Sequence, residues 1–198
     1  ILRERKALVL YALLGGFGSF VYAQFNYLLP LNMESLYGAK GAEIFGLLTS
    51  VNALVVILAT PLVTTFLGKI RDVKKLLIGQ TLIVLGLYSY RYVQLQMALY
   101  FLLMVIFTIG EVFKTLGEQP YMTRRIPATH WGRVNSFVSI VSGAFSSVGN
   151  LFLGRLLDSQ GYSAAWLAVG LAGIGLIILA YLLSETDKKV FPLLYAEK

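Results

Sequence analysis

Six apolar stretches organise this sequence, at about residues 7 to 30, 43 to 66, 76 to 93, 97 to 119, 134 to 157 and 162 to 183. A helix of about 20 residues, rising 1.5 Å per residue, crosses a hydrocarbon core about 30 Å thick, and each stretch has close to that length. In lipid every backbone N–H and C=O must be satisfied inside the protein, and a helix does this within one segment. The expected fold is therefore an all-α membrane protein, one transmembrane helical domain over 1–198 with six transmembrane helices. Of the 198 residues, 57% are hydrophobic and 14% are charged, against about 45 to 50% and about 25% in soluble domains. Six spans leave too little chain for a soluble catalytic domain. The third stretch, LLIGQTLIVLGLYSYRY, is the shortest; Tyr88, Tyr90 and Tyr92 suit an interfacial belt, with Arg91 snorkelling outward.

Charge gives the orientation. With six spans, both termini and two of the loops share one side. That side carries Arg3, Arg5, Lys6, Lys69, Arg71, Lys74, Lys75, Arg124, Arg125, Arg133, Lys188, Lys189 and Lys198 of the 17 Lys and Arg. The other side has Lys40, Arg91 and Arg155, and Lys114 lies within the fourth span. This asymmetry assigns both termini to the cytoplasm. It also accounts for the net charge of +7 without a nucleic-acid partner. With no Cys, disulfides, thiolate chemistry and Cys-based metal sites are excluded. The chain opens on Ile1 without a signal-peptide pattern and reads as a fragment or a processed chain.

An internal echo divides the chain. Phe66-Leu67-Gly68-Lys69-Ile70-Arg71-Asp72 closes the second span, and Phe152-Leu153-Gly154-Arg155-Leu156-Leu157-Asp158 closes the fifth. The shift from Gly68 to Gly154 also lays the first span on the fourth and the third on the sixth. The chain reads as two three-helix repeats, at about 7 to 93 and 97 to 183. Three being odd, the second repeat crosses in the opposite sense, an inverted arrangement known in secondary transporters.

These residues resemble the C-terminal six-helix half of a major facilitator superfamily (MFS) transporter, over essentially the whole chain. The most specific stretch, TIGEVFKTLGEQPYMTRRIPATHWGRVNSF at 108 to 137, is similar to the family's tenth helix with an intramembrane Gly-Glu, here Gly110 and Glu111, its Pro-containing exit and its Gly-Arg loop, here Gly132 and Arg133. GKIRDVKK resembles the superfamily's Gly-x-x-x-Asp-Arg-x-Gly-Arg-Arg loop, keeping Gly68 and Asp72 but with Val73 in place of the Arg and the second Gly missing. With the exit AQFNYLLPLNMESLYG, the pattern looks most like bacterial drug/proton antiporters. The resemblance implies a multi-pass protein of the bacterial cytoplasmic membrane, in which two halves rock about a central cavity. It implies as partners the N-terminal six-helix half, the lipid bilayer, protons and a small-molecule substrate, and the expected activity is proton-coupled export of a small lipophilic or cationic compound. Uptake or exchange of a sugar or other metabolite is the alternative.

Among the polar residues inside spans, Glu111 stands out. An acidic side chain at a helix centre is disfavoured by about 2.5 to 3.5 kcal/mol on insertion scales. It must face protein or water, which makes Glu111 the proton-coupling candidate. An ion pair with Lys114, three residues on, is the structural alternative. Thr49, Asn52 and Thr60 form a polar stripe on the second span, suited to a cavity wall or to interhelical hydrogen bonding, and Pro61 suggests a kink. Tyr22 and Asn26 on the first span, and Thr108 and Thr115 flanking Glu111, complete the substrate-cavity candidates with Thr49 and Asn52. Gly68, Asp72, Gly154 and Asp158 are gating-loop candidates, with helix capping as the plainer role. On the fifth span, Asn135, Ser139, Ser142, Ser146 and Gly149 form a small-residue stripe suited to close packing. His130 falls in a basic loop without nearby metal-ligand partners, so neither metal nor cofactor is expected.

Enzymatic function is not expected, because the sequence holds no Gly-x-x-x-x-Gly-Lys-[Ser/Thr] loop, no Gly-x-Ser-x-Gly nucleophile and no His-Glu-x-x-His helix. The membrane subunit of an ATP-driven transporter and a scaffold without substrate remain the other classes. A solute flux that a protonophore abolishes separates the first reading from both.

Overall fold

The computed structural model describes the backbone of residues 2–93 and 96–196 and the side chains of residues 6–93 and 96–195. The described chain is all-α: α1 Leu2–Ala23, α2 Leu28–Tyr37, α3 Gly41–Leu67, α4 Asp72–Ser89, α5 Met97–Arg125, α6 Trp131–Val190 and α7 Leu193–Ala196, with 3-10 turns at Gly38–Lys40 and Ala128–His130. Three helical runs are long and apolar enough to cross a membrane, Lys6–Leu67, Met97–Arg125 and Ala128–Val190.

Two of these runs are too long to be single rods. The 60 residues of α6 would extend about 90 Å at 1.5 Å per residue. Gly161 breaks the helix with φ 79° and ψ −178°, a backbone region open to glycine almost alone. The arms on either side pack on different partners. Gly149 and Asn150 meet Phe20 of α1 and Gln24 just beyond it, whereas Gly170 and Gly173 meet α4 at Tyr88 and Val84. Near the N-terminus, the apolar stretch expected to run to residue 30 closes as α1 at Ala23. The turn that follows is drawn tight by bonds from Gln24 N to Val21 O and from Phe25 N to Tyr22 O, and the chain then re-enters helix as α2.

Contacts fix the relative directions. Residues 11 and 22 of α1 lie beside residues 121 and 111 of α5, so these two run antiparallel. Asn52 and Val63 of α3 pack in that order on Thr108 and then Val112 and Phe113 of α5, so these run parallel. On α4, Gly79 and Gly86 approach residues 114 and 107 of α5 in reverse order. Successive long helices thus alternate in direction, as short connections between rods of similar length require.

Backbone meets backbone where α4 packs on α5. A Cβ built on Gly79 would stand 2.5 Å from the Lys114 backbone nitrogen, and one on Gly110 would stand 2.7 Å from that of Ile83. Only hydrogen in place of a side chain lets the two backbones approach so closely, the usual means of association where burial from water gives no driving force. One continuous core, including Leu29, Met33, Leu48, Ile83, Met104, Phe107, Trp166 and Leu176, holds the remaining helices together. Facing outward are Leu54, Ile57, Leu58 and Phe66 on α3 and Ile140, Val148 and Leu151 on α6. Apolar faces this extensive fit lipid or another protein, not water.

The tyrosines at the end of α4 divide. Tyr92 is exposed and shares a hydrogen bond with Tyr88. Tyr90 instead turns inward, donates to the Tyr100 carbonyl oxygen and stacks on the Tyr100 ring. Alternate residues on a helix are 200° apart, so three such tyrosines cannot share one face.

Candidate functional site

Glu111 stands midway along α5, about 21 Å from either end of the helix at 1.5 Å per residue. Its carboxylate is half-buried and joins three helices. The Tyr22 hydroxyl of α1 donates to Oε1 at 2.6 Å, and the Asn52 amide of α3 donates to Oε2 at 2.9 Å. The same amide donates to the Thr108 hydroxyl at 2.9 Å, and Thr108 in turn donates to the Met104 carbonyl oxygen of its own helix at 2.7 Å. Thr108 is thereby fixed as an acceptor toward Asn52, which orients the amide toward Glu111.

Local sequence explains each placement. Thr108 and Glu111 are three residues apart on α5, hence on one face, and Asn52 on α3 reaches both. Tyr22 rests its ring against Phe107, so the aromatic body packs apolar while the hydroxyl reaches the carboxylate.

Lys114 does not pair with Glu111. It pairs with Glu118, four residues on, at 3.2 Å, with its ammonium 5.6 Å from the centre of the Tyr22 ring. Among the described residues Glu111 therefore has neutral donors and no salt-bridge partner. Each bond to the ionised form is charge-assisted, and the 2.6 Å phenol contact is of the short, strong kind.

The other sequence candidates separate from this cluster. Thr49 donates to Gly46 O of its own helix, Asn26 is exposed in the turn after α1, and Thr115 is exposed on α5. Thr60 bonds back to Val56 O, and α3 continues as one helix through Pro61 to Leu67. From the small-residue stripe of α6, Ser142 and Gly149 face α1 at Gly15 and Phe20, while Asn135 and Ser139 are exposed.

The two echoed corners are built differently. Gly68 and Asp72 flank a true turn, with Arg71 extended at φ −61° and ψ 145° and Asp72 opening α4. Gly154 and Asp158 lie within helical backbone before the break at Gly161, with Gly154 against the Tyr27 hydroxyl and Asp158 exposed.

Two polar clusters escaped sequence reasoning. Gln24 is fully buried and donates to Phe20 O and to Asn150 Oδ1 of α6, each at 2.8 Å. At the end where α4 begins and α5 finishes, Arg125 grips Asp187 through Nε at 2.6 Å and Nη2 at 2.7 Å, and its Nη1 lies 3.6 Å from Asp72. Arg124 donates to the same Asp72 at 3.1 Å, and the Tyr195 hydroxyl donates to Asp187 at 2.6 Å. Burial, and then the hydrogen bond to the Asp187 carboxylate, hold the Tyr195 phenol well above its ordinary pKa. The wide sequence separation of Asp72, Arg125 and Asp187 hides this cluster; acidic residues near basic helix ends are its only trace.

Among the described residues no group of three or more His, Asp or Glu side chains converges on a metal-sized site. Comparison of the chain with protein-family models, with curated proteins and with solved structures finds no match.

Proposed function

We propose that this chain is the C-terminal six-helix half of a secondary active transporter of the major facilitator type, exporting a small lipophilic or cationic compound in exchange for protons. The observation that carries the reading is Glu111, a carboxylate midway along an apolar helix, held by neutral donors from two other helices. On this reading the six helices span the membrane as two inverted units of three, and the basic end is cytoplasmic. The alternating helix directions support it. So does the resemblance of Gly110-Glu111 and of the Gly68 to Asp72 loop to the family's motifs.

The mechanism follows from proton balance at Glu111. Ionised, it accepts from Tyr22 and Asn52 and ties α1, α3 and α5 together. Protonated, it loses the charge that strengthens both bonds and turns one oxygen into a donor, so the contact of α5 with α1 and α3 weakens. A cationic substrate competes with the proton for the same carboxylate, which is the linkage an antiporter needs. The close α4–α5 pair then moves as one body during rocking.

The test is flux of a lipophilic cation in proteoliposomes containing the chain together with its N-terminal half. The expected result is uptake into inside-out vesicles that requires an imposed pH gradient and collapses with a protonophore. Flux driven by ATP, or sugar flux indifferent to the gradient, would overturn it.

A further inference from the structure

A cavity lies far from Glu111, at the basic end of the bundle. It has a volume of about 470 Å³ and is bounded by the α3–α4 turn, the end of α5 and α7. Five cationic side chains line it, Lys69, Arg71, Lys75, Arg124 and Arg125, against one carboxylate, Asp72. That carboxylate is already engaged by Arg124 at 3.1 Å and Arg125 at 3.6 Å, and the nearby Asp187 is taken by Arg125 and Tyr195.

Basic loops are ordinarily solvated, but here two of the cations are withdrawn from solvent. Lys75 is 8% exposed, and the Arg125 side chain is 5% exposed. Arg125 has its carboxylates; Lys75 does not. Among the described residues the only acceptor for its three N–H donors is the Gly68 carbonyl oxygen, at 3.3 Å. A buried ammonium with one long bond to a neutral carbonyl lacks the compensation that buried charge requires. The adjoining start of α4 adds to the imbalance: its N-cap is Arg71, which gives no side-chain cap, so first-turn N–H groups are left without a side-chain acceptor.

We propose that this cavity binds a phosphate-bearing anion, with Lys75 as its buried contact and Lys69 and Arg71 at its mouth. Phosphate offers several acceptor oxygens around one centre, which suits an ammonium, a guanidinium and helix N–H groups converging from different directions. Such a group arrives either as a free phosphate or as the headgroup of an anionic lipid, and the two share this chemistry. The lipid source rests on the membrane reading; the free-ion source does not.

The experiment measures the unfolding midpoint of the purified protein in phosphate-free detergent at constant ionic strength. The probes are inorganic phosphate against chloride, and micelles doped with phosphatidylglycerol against micelles doped with oleate, an anion without phosphate. A stabilising probe reports its affinity through the concentration dependence of the midpoint. Phosphate or phosphatidylglycerol should stabilise; inorganic phosphate alone identifies a free ion, and phosphatidylglycerol alone a headgroup. Lys75→Gln should weaken that binding by about tenfold, the value of a lost charge-assisted bond. Lys69→Gln, an exposed side chain that leaves packing intact, should weaken it by about threefold, as a screened charge does. Lys40→Gln, at the other end, should leave it unchanged. Stabilisation by neither probe, equal stabilisation by chloride or oleate, or unchanged affinity in both Lys75→Gln and Lys69→Gln would overturn the proposal.

Discussion

Removing the Tyr22 hydroxyl tests whether Glu111 joins α1 to α5 as an ion or merely sits nearby. Tyr22→Phe keeps the ring on Phe107 and deletes one donor, the one 2.6 Å from Oε1. Neutral hydrogen bonds between membrane helices average about 0.6 kcal/mol, with a maximum near 1.7. Bonds to charged groups contribute about 1.5 to 3 kcal/mol. The contact is short but Glu111 is only half-buried, so the coupling belongs near 1.5 kcal/mol. A double-mutant cycle isolates it: Tyr22→Phe, Glu111→Gln and the pair, each unfolded reversibly in mixed micelles above neutral pH. The cycle Asn52→Ala with Glu111→Gln should give less, about 0.6 to 1 kcal/mol, because the amide divides its donation between Glu111 and Thr108. If the Tyr22 and Glu111 effects add to within about 0.5 kcal/mol, the sites are independent. The short phenol contact would then not tie α1 to α5 through a charge-assisted bond.

Three further outcomes follow from geometry. Gly110→Ala places a methyl 2.7 Å from the Ile83 nitrogen and 2.8 Å from the Gly79 oxygen, and should lower stability by about 1 to 3 kcal/mol; Gly143→Ala, with nothing within 4 Å, should change it by less than about 0.5. Asp187→Asn leaves the buried Arg125 guanidinium without its bidentate partner and should cost about 3 to 5 kcal/mol in micelle unfolding, whereas Glu185→Gln, which breaks the exposed pair with Lys188, should cost under about 1. Gly161→Ala forces a side chain onto φ 79° and ψ −178° and should destabilise by about 1 to 3 kcal/mol, with proteolysis increased between the two arms of α6.

The helices are legible in the sequence because apolar length alone requires them: Gly41–Leu67 and Met97–Arg125 enclose the stretches read at 43 to 66 and 97 to 119. Glu111 is legible for the same reason, as a charge where none is cheap. Its partners are only partly so. Tyr22, Asn52 and Thr108 stand on helix faces that a periodic reading selects, but the same reading selects Thr49 and Asn26, which do not join them. Helical periodicity gives a face and not its rotation toward a neighbour, and for that reason Tyr90 turns inward where an outer belt is expected. Lys114 has two acids within reach along its helix, and it pairs with Glu118 at 3.2 Å and not with Glu111. The echo from Gly68 to Gly154 predicts matching corners. Backbone conformation differs there because the turn after 158 is made by Gly161, which has no counterpart turn residue in the first copy. Contacts such as Gln24 with Asn150 and Arg125 with Asp187 come from packing alone, and no local pattern announces them.

The central claim is that Glu111 couples solute movement to protons. Its most direct test is Glu111→Gln in the chain reconstituted with the proposed N-terminal half, measured as substrate flux with and without an imposed pH gradient. The amide keeps the shape and one acceptor but cannot take up and release a proton. The expected result is loss of gradient-driven flux with substrate exchange retained in the absence of a gradient. Unchanged flux with an unchanged dependence on the gradient would contradict the account.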